Sequence, residues 1–144
     1  MATTNKIYGL SLVSAYNAEI DLDTNTIKTA LTTSSYTPDQ DTHQYFNQVT
    51  NEITGTGYTA GGATLGSKSV GYTGATNVFK FDAADSAWTT STLTARTAVI
   101  YKDTGSAATS PLITYHQESS DVSTTVGTFT VQHGSAGIFT ITVA

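Results

Sequence analysis

Residues 96–116 read RTAVIYKDTGSAATSPLITYH, and this stretch decides the fold class. Two apolar runs, 97–101 and 112–115, flank a polar connection that opens with Asp103-Thr104-Gly105 and closes at Pro111. Val99, Ile100 and Tyr101 are β-branched or aromatic, and so are Ile113, Thr114 and Tyr115. Such residues pack well on a pleated, buried surface. The glycine and proline punctuate the connection by fixing backbone angles that a strand does not adopt. Two strands and a loop predict an all-β module, and the stretch holds no catalytic chemistry of its own.

The pattern extends outward on both sides. A strand over 27–32 sets Ile27, Thr29 and Leu31 on one face. Further strands are predicted over 63–72, over 77–81 with Phe79 and Phe81 together, and over 88–94 as a weakly patterned edge. Beyond the opening stretch, 125–132 turns Phe129 and Val131 inward, and 137–143 turns Phe139, Ile141 and Val143 inward. His133-Gly134-Ser135-Ala136-Gly137 reads as a tight turn that joins these last two strands into a hairpin. Residues 55–62, GTGYTAGG, read as a flexible bend. Short strands separated by Gly-rich turns predict a single-domain antiparallel β-sandwich, jelly roll or barrel over 27–143, within one domain of residues 1–144. Its expected core is Ile27, Leu31, Phe79, Phe81, Val99, Tyr101, Ile113, Phe129, Val131, Phe139, Ile141 and Val143.

Residues 6–20 place Ile7, Leu10, Val13, Tyr16 and Ile20 at spacings of three and four, the stripe of one short amphipathic helix that Thr4 or Asn5 could cap. Gly9 and the serines weaken a helix, so a strand pair broken near Ser14 competes. Thr37-Pro38-Asp39-Gln40 has the form of a helix start. The residues after it either make one or two turns that tuck Tyr45, Phe46 and Val49 inward, or form a long ordered loop.

Charged residues make up 12% of the chain, about half the usual share. Solubility therefore rests on hydroxyls and amides, and 30 residues are threonine, which suits a strand that is dry on one side and wet on the other. The chain has no cysteine, hence no disulfide and no thiol chemistry. Its net charge is −5, and its six Lys/Arg are scattered, whereas phosphate neutralisation needs a clustered basic patch. No nucleic-acid partner is expected. No apolar run of about 18 residues is present to cross a membrane as a helix. The opening MATTNKIYGLSLVSAYNA makes a poor signal peptide, so synthesis in a cytoplasm is expected.

Candidate chemistry is sparse. Asp21, Asp23 and Asn25 match the first ligands of a calcium loop, but Thr26 and Thr32 stand where a glycine and a bidentate glutamate are needed. An Asx-rich turn accounts for them better. Asp39, Asp41 and His43 suit a first helical turn by their charge, and His43, His116 and His133 share no local ligand spacing. No Gly-x-Ser-x-Gly elbow exposes a serine. Asp103-Thr104-Gly105 has the letters of the aspartic protease triplet, but it occurs once and reads as a turn. Gly55, Gly57, Gly61 and Gly62 are not followed by the Lys-Ser/Thr pair of a phosphate loop. No catalytic residue, cofactor or metal is expected. Tyr58, Tyr72 and Trp88 lie in Gly/Thr-rich segments and are candidates for an interaction surface with protein or sugar, with packing beneath loops as the other reading.

Three segments, IKTALTTSSYTPDQDTHQYFNQV, AVIYKDTGSAATSPLITY and TFTVQHGSAGIFTITV, resemble a family of small tailed-phage virion proteins. The matching pieces are 27–31, 36–39, 42–44, 98–105 and 110–115, and they occur in order. The start over 6–22 is similar to the family's helical opening, whereas 54–75 and 118–126 depart from the pattern. The resemblance implies a non-enzymatic part of the particle. Its first form would be a capsid decoration (cement) protein on the capsid exterior. Such a protein would be made in the host bacterial cytoplasm, bind the major capsid protein and associate with itself as a dimer or trimer. The alternative is a tail, tail-fibre or head-fibre component contacting host carbohydrate, and a third is a sandwich-type sugar-binding module or hydrolase.

Overall fold

The two apolar runs around Asp103-Thr104-Gly105 form the centre of the molecule. The computed structural model describes the backbone of residues 3–144 and the side chains from Asn5 onward. In chain order the elements are β1 (Thr3–Ile7), α1 (Gly9–Tyr16), β2 (Ile27–Thr32), β3 (Ala63–Thr64), β4 (Ser69–Thr73), β5 (Val78–Asp82), β6 (Ser86–Lys102), β7 (Leu112–Val131) and β8 (Phe139–Thr142). A five-stranded sheet runs β1-β7-β6-β2-β3, and a three-stranded sheet runs β4-β5-β8. Every strand pairing is antiparallel. The expected antiparallel β-sandwich with one short helix is the architecture.

Val99 faces Tyr115 and Ala98 faces His116 across the β6–β7 hairpin. This hairpin is longer than its sequence pattern suggests. Residues 88–94 are the first half of β6 rather than an edge, and 112–116 and 125–132 belong to one strand. What disguises the continuity is a bend. Register shifts interrupt the ladder, and β7 runs from Gln117 to Val122 while β6 runs only from Thr97 to Ala95. Thr90 and Val126 adopt left-handed backbone angles, φ 51 and 46. Bulges of this kind kink a strand and raise its twist. The distal half folds back over the sheet, so that the Ser86 hydroxyl donates to Thr29 Oγ1 at 2.9 Å and Trp88 packs with Leu31 and Ala98.

Both faces of the central strands are therefore covered, which is why they read as continuous apolar runs rather than as alternating ones. Ile27, Ile100 and Ile113 meet Leu65, Phe81 and Ile138 between the two sheets. Leu31 and Ala98 meet Trp88, Leu93, Phe129 and Ile53 inside the folded hairpin. On the opposite face, Ala30, Val99, Tyr101, Leu112 and Tyr115 lie under Tyr8, Tyr36, Phe46 and Val49. A bulge at Ile113, between the pairs Ile100–Thr114 and Tyr101–Leu112, lets Ile113 and Thr114 both be buried. Each fully buried large apolar side chain contributes about 1.5–3 kcal/mol.

Threonine does more than wet the outside. Thr29, Thr32, Thr97 and Thr114 are buried. Thr114 Oγ1 donates to the Lys6 carbonyl at 2.7 Å and Thr32 Oγ1 to that of Thr97 at 3.4 Å, and a buried hydroxyl is tolerated when it is so partnered.

Several expectations are corrected. The helix covers Gly9–Tyr16, not 6–20, because the residues before it extend into β1 and pair with β7. Thr4 and Asn5 thus lie in a strand, and the sandwich begins before residue 27. Thr37 starts no helix: Asp39 Oδ1 instead accepts the Asp41 and Thr42 amides, each at 3.0 Å, in an Asx turn. The stretch is an ordered loop closed by a 3-10 turn at Phe46–Gln48. Residues 63–72 divide between β3 and β4, in different sheets, and β8 pairs with β5 rather than forming a hairpin with β7. Val143 is exposed, and Phe79, Val131, Phe139 and Ile141 are only half-buried. The alternation of 137–143 was legible, but its far end projects past the sheet that it would need to cover.

Beneath the 33–49 loop runs a chain of polar groups. The Tyr8 and Tyr36 hydroxyls are 2.9 Å apart, and Tyr36 Oη lies 3.1 Å from His43 Nδ1. Tyr8→Phe removes one end of this buried chain and is expected to cost about 1–2 kcal/mol. Urea melts of Tyr8→Phe, Tyr36→Phe and the double variant should show a double loss smaller than the sum of the single losses. Strict additivity would mean that the two hydroxyls are not coupled.

Candidate functional site

Helix α1 carries its polarity in reverse. Its buried residues are Ser11 and Ser14, while Leu12, Val13 and Tyr16 are exposed at 43%, 47% and 92%. Small side chains three apart let the helix lie close to the sheet edge. Gly9 N donates to the Gln40 carbonyl at 2.9 Å, and Gln44 Nε2 donates to Ser14 Oγ at 3.4 Å. Of the stripe read from the sequence, Val13 and Tyr16 are exposed, while Ile7, Leu10 and Ile20 are half-buried.

Across from it, one face of the three-stranded sheet carries Val70 and Tyr72 from β4, Phe79 and Phe81 from β5, and Phe139 and Ile141 from β8, in cross-strand register. Phe81 and Phe139 reach the core, with rings 5.7 Å apart. Tyr72 and Val143 overhang it, exposed at 57% and 52%. A groove of about 460 Å³ separates this overhang from α1, and its only charged lining residues are Asp21 and Asp23. Asp21 belongs to an Asx turn, its Oδ1 accepting the Asp23 and Thr24 amides at 3.0 and 3.1 Å. Hydrogen bonds from Thr24 hold its carboxyl below the usual carboxylate range. An apolar channel of this kind can hold another apolar surface.

The three aromatic candidates separate. Tyr72 lies on the groove, its hydroxyl donating to Asn77 Oδ1 at 3.0 Å. Trp88 is buried, 5.9 Å from the Tyr58 ring and edge-on to Phe129 at 6.1 Å. Tyr58 is half-buried, its hydroxyl donating to Glu52 Oε1 at 2.6 Å and accepting the Leu31 amide at 3.0 Å. Burial, and then the Glu52 bond, push its phenol pKa up. Trp88 and Tyr58 therefore brace β2 against the folded hairpin and are not displayed together with Tyr72. The Gly/Thr-rich sequence around them suggested exposure because the fold-back of β6 is a tertiary event.

A second concavity, about 440 Å³, lies inside the folded hairpin and is lined in part by Asn5, Arg96, His116, Glu118 and Phe129. His116 is buried, and the tight 2.6 Å contact of its Nδ1 with Asn5 Oδ1 requires Nδ1 to be the donor. Its Nε2, and both ring nitrogens of His133, are buried and find no hydrogen-bond partner among the described residues. The two rings stand 5.7 Å apart. Burial, and then His133, push the His116 pKa down to about 4, and burial lowers that of His133. Sequence separation concealed this meeting of two histidines. His43, by contrast, is tied locally to Tyr36 and to the Asp39 amide.

Among the described residues, no group of three or more His, Asp or Glu is placed to hold a metal ion, and no helix is long and apolar enough to cross a membrane. Asp103 forms a turn, accepting the Gly105 amide at 2.9 Å, and pairs with Lys28 at 2.6 Å. That bond with Lys28 holds its carboxyl below the usual range. No protein-family model matches the sequence, and no curated protein or solved structure matches the chain.

Proposed function

We propose that this chain is a non-enzymatic structural component of a tailed-phage virion, a decoration (cement) protein that binds the major capsid protein on the capsid exterior. The observation that carries the reading is spatial. The matching pieces at 27–31, 36–39, 42–44, 98–105 and 110–115 are scattered in sequence but occupy one body of structure, while the resembling segment 128–143 runs through the distal half of β7 into β8 of the second sheet. Residues 27–31 are most of β2, and 98–105 with 110–115 are the proximal half of the β6–β7 hairpin and its loop. Residues 36–39 and 42–44 cover that half: Tyr36 packs with Leu112 and Tyr115, and the Leu112 amide donates to the Gln44 carbonyl at 2.8 Å. The departing segments include β4 and the outer bend of β7, which are largely exposed, and also β3 with Tyr58 and Leu65, which pack on β2.

The mechanism is mechanical. A module that binds only the assembled shell stabilises it by mass action, and repetition over the shell adds avidity to modest single contacts. A low share of charged residues suits attachment through buried area. Quantitative mass spectrometry of purified particles should find this chain at a copy number comparable to that of the major capsid protein. A few copies per particle would favour a tail or fibre component, and absence from particles would remove the virion reading.

A further inference from the structure

We propose that the chain forms a two-fold dimer by pairing β4 with β4 of a second copy, closing the apolar groove beside it. The proposal rests on edge chemistry and stands apart from the virion reading. Sheet edges normally carry a charge, a proline or very short length to prevent such pairing. β3 is only two residues long, β1 carries Lys6, and β8 shares a groove with β1 and its Lys6. β4 differs. Its five residues, Ser69-Val70-Gly71-Tyr72-Thr73, include no charge and no proline, and all are exposed. Its one strand neighbour is β5.

The strand is also self-complementary. An antiparallel pair centred on Gly71 sets Ser69 opposite Thr73 of the second copy and Val70 opposite Tyr72. A β-branched residue facing an aromatic one is a favourable cross-strand pair, and this register uses the whole strand. Val70 and Tyr72 lie on the groove side of the sheet, so each copy extends its partner's apolar face toward Leu12 and Tyr16 of α1. At about 200 Å² per tyrosine, the exposed parts of Tyr16 and Tyr72 alone offer about 300 Å². With Leu12, Val70 and the strand edge added, the surface lies at the small end of specific interfaces, which matches a dimer of moderate affinity.

Gly71 provides the test, because a Cβ there meets nothing within 4 Å and the isolated fold should accept a side chain. Sedimentation equilibrium of the wild-type chain should show a dimer with a Kd on the order of micromolar. Gly71→Asp sets two carboxylates face to face at the axis and should raise that Kd at least tenfold, with an unchanged thermal melt at monomer concentrations. The chain has no cysteine, so in Gly71→Cys the only thiols are the two at the axis, within the Cα separation a disulfide spans. Mild oxidation should cross-link this variant much faster than Gly74→Cys, at the neighbouring turn. A wild-type chain that stays monomeric at high concentration, a dimer that survives Gly71→Asp, or equal cross-linking of the two cysteine variants would overturn the proposal. None of these outcomes bears on whether the chain is found in virions.

Discussion

Gly62→Ala is expected to destabilise the protein by roughly 4 kcal/mol, a large part of the ~5–15 kcal/mol by which an ordinary domain is stable. A Cβ at Gly62 would stand 1.9 Å from the Thr29 carbonyl oxygen, 2.6 Å from its carbon and 2.7 Å from Ala30 Cα. These are backbone atoms of β2, which is clamped between β6 and β3, so neither side can yield cheaply. The φ of +78 adds about 1 kcal/mol for any residue with a side chain. Gly66→Ala is the control: its Cβ meets nothing within 4 Å, and the expected change is within about 0.5 kcal/mol. Urea and thermal melts decide the matter. A Gly62→Ala protein as stable as wild type would mean that the 57–62 segment does not lie against β2.

Acidification should weaken the fold before any carboxylate titrates. His116 is held neutral in the folded chain, with its pKa near 4 against an ordinary 6.5, and that of His133 is lowered as well. Both states are neutral above the ordinary value. As the pH falls below it, the unfolded chain takes up protons that the folded chain refuses, so stability is lost progressively from about pH 6.5 to about pH 4. The His116 difference corresponds to about 3 kcal/mol at the bottom of that window. Asp85 and Asp82 face His133 and oppose the effect on its side. Asp39 and Asp103, whose carboxyls sit below the usual range, begin to contribute only near about pH 5, where unfolded carboxylates start to bind protons. The folding free energy of the wild type should therefore slope between pH 6.5 and 4, and that of His116→Leu should be much flatter. Equal slopes would place the titration elsewhere.

What could be read from the sequence was whatever short-range chemistry controls. Val99, Ile100, Tyr101 and Ile113 belong in strands whatever surrounds them, and the Asp103-Thr104-Gly105 and Asp21–Asn25 turns are held by bonds spanning only a few residues. The candidate site was half legible. Tyr72, a candidate from the sequence, lines the groove, whereas Tyr16 reads only as part of a helix stripe and Leu12 carries no signal of its own. The overlooked signal was Ser11 and Ser14, small residues at helical spacing that mark a face able to approach a sheet edge closely. Trp88 was misplaced for the opposite reason, since its neighbours are threonines and serines and only the fold-back of β6 buries it.

An all-β chain of threonine-rich antiparallel strands, its principal hairpin and its hydrogen-bonded turns follow from residue order alone, because backbone preference and apolar patterning act over a few positions. Three outcomes came only with the tertiary structure: the bend that doubles β6 and β7 onto themselves, the separation of β7 from β8 into different sheets, and the turning of α1 so that its serines face inward. Each depends on which surfaces compete for the same buried space. That competition joins residues as far apart as Thr29 and Ser86 or Asn5 and His116, beyond the reach of any local pattern.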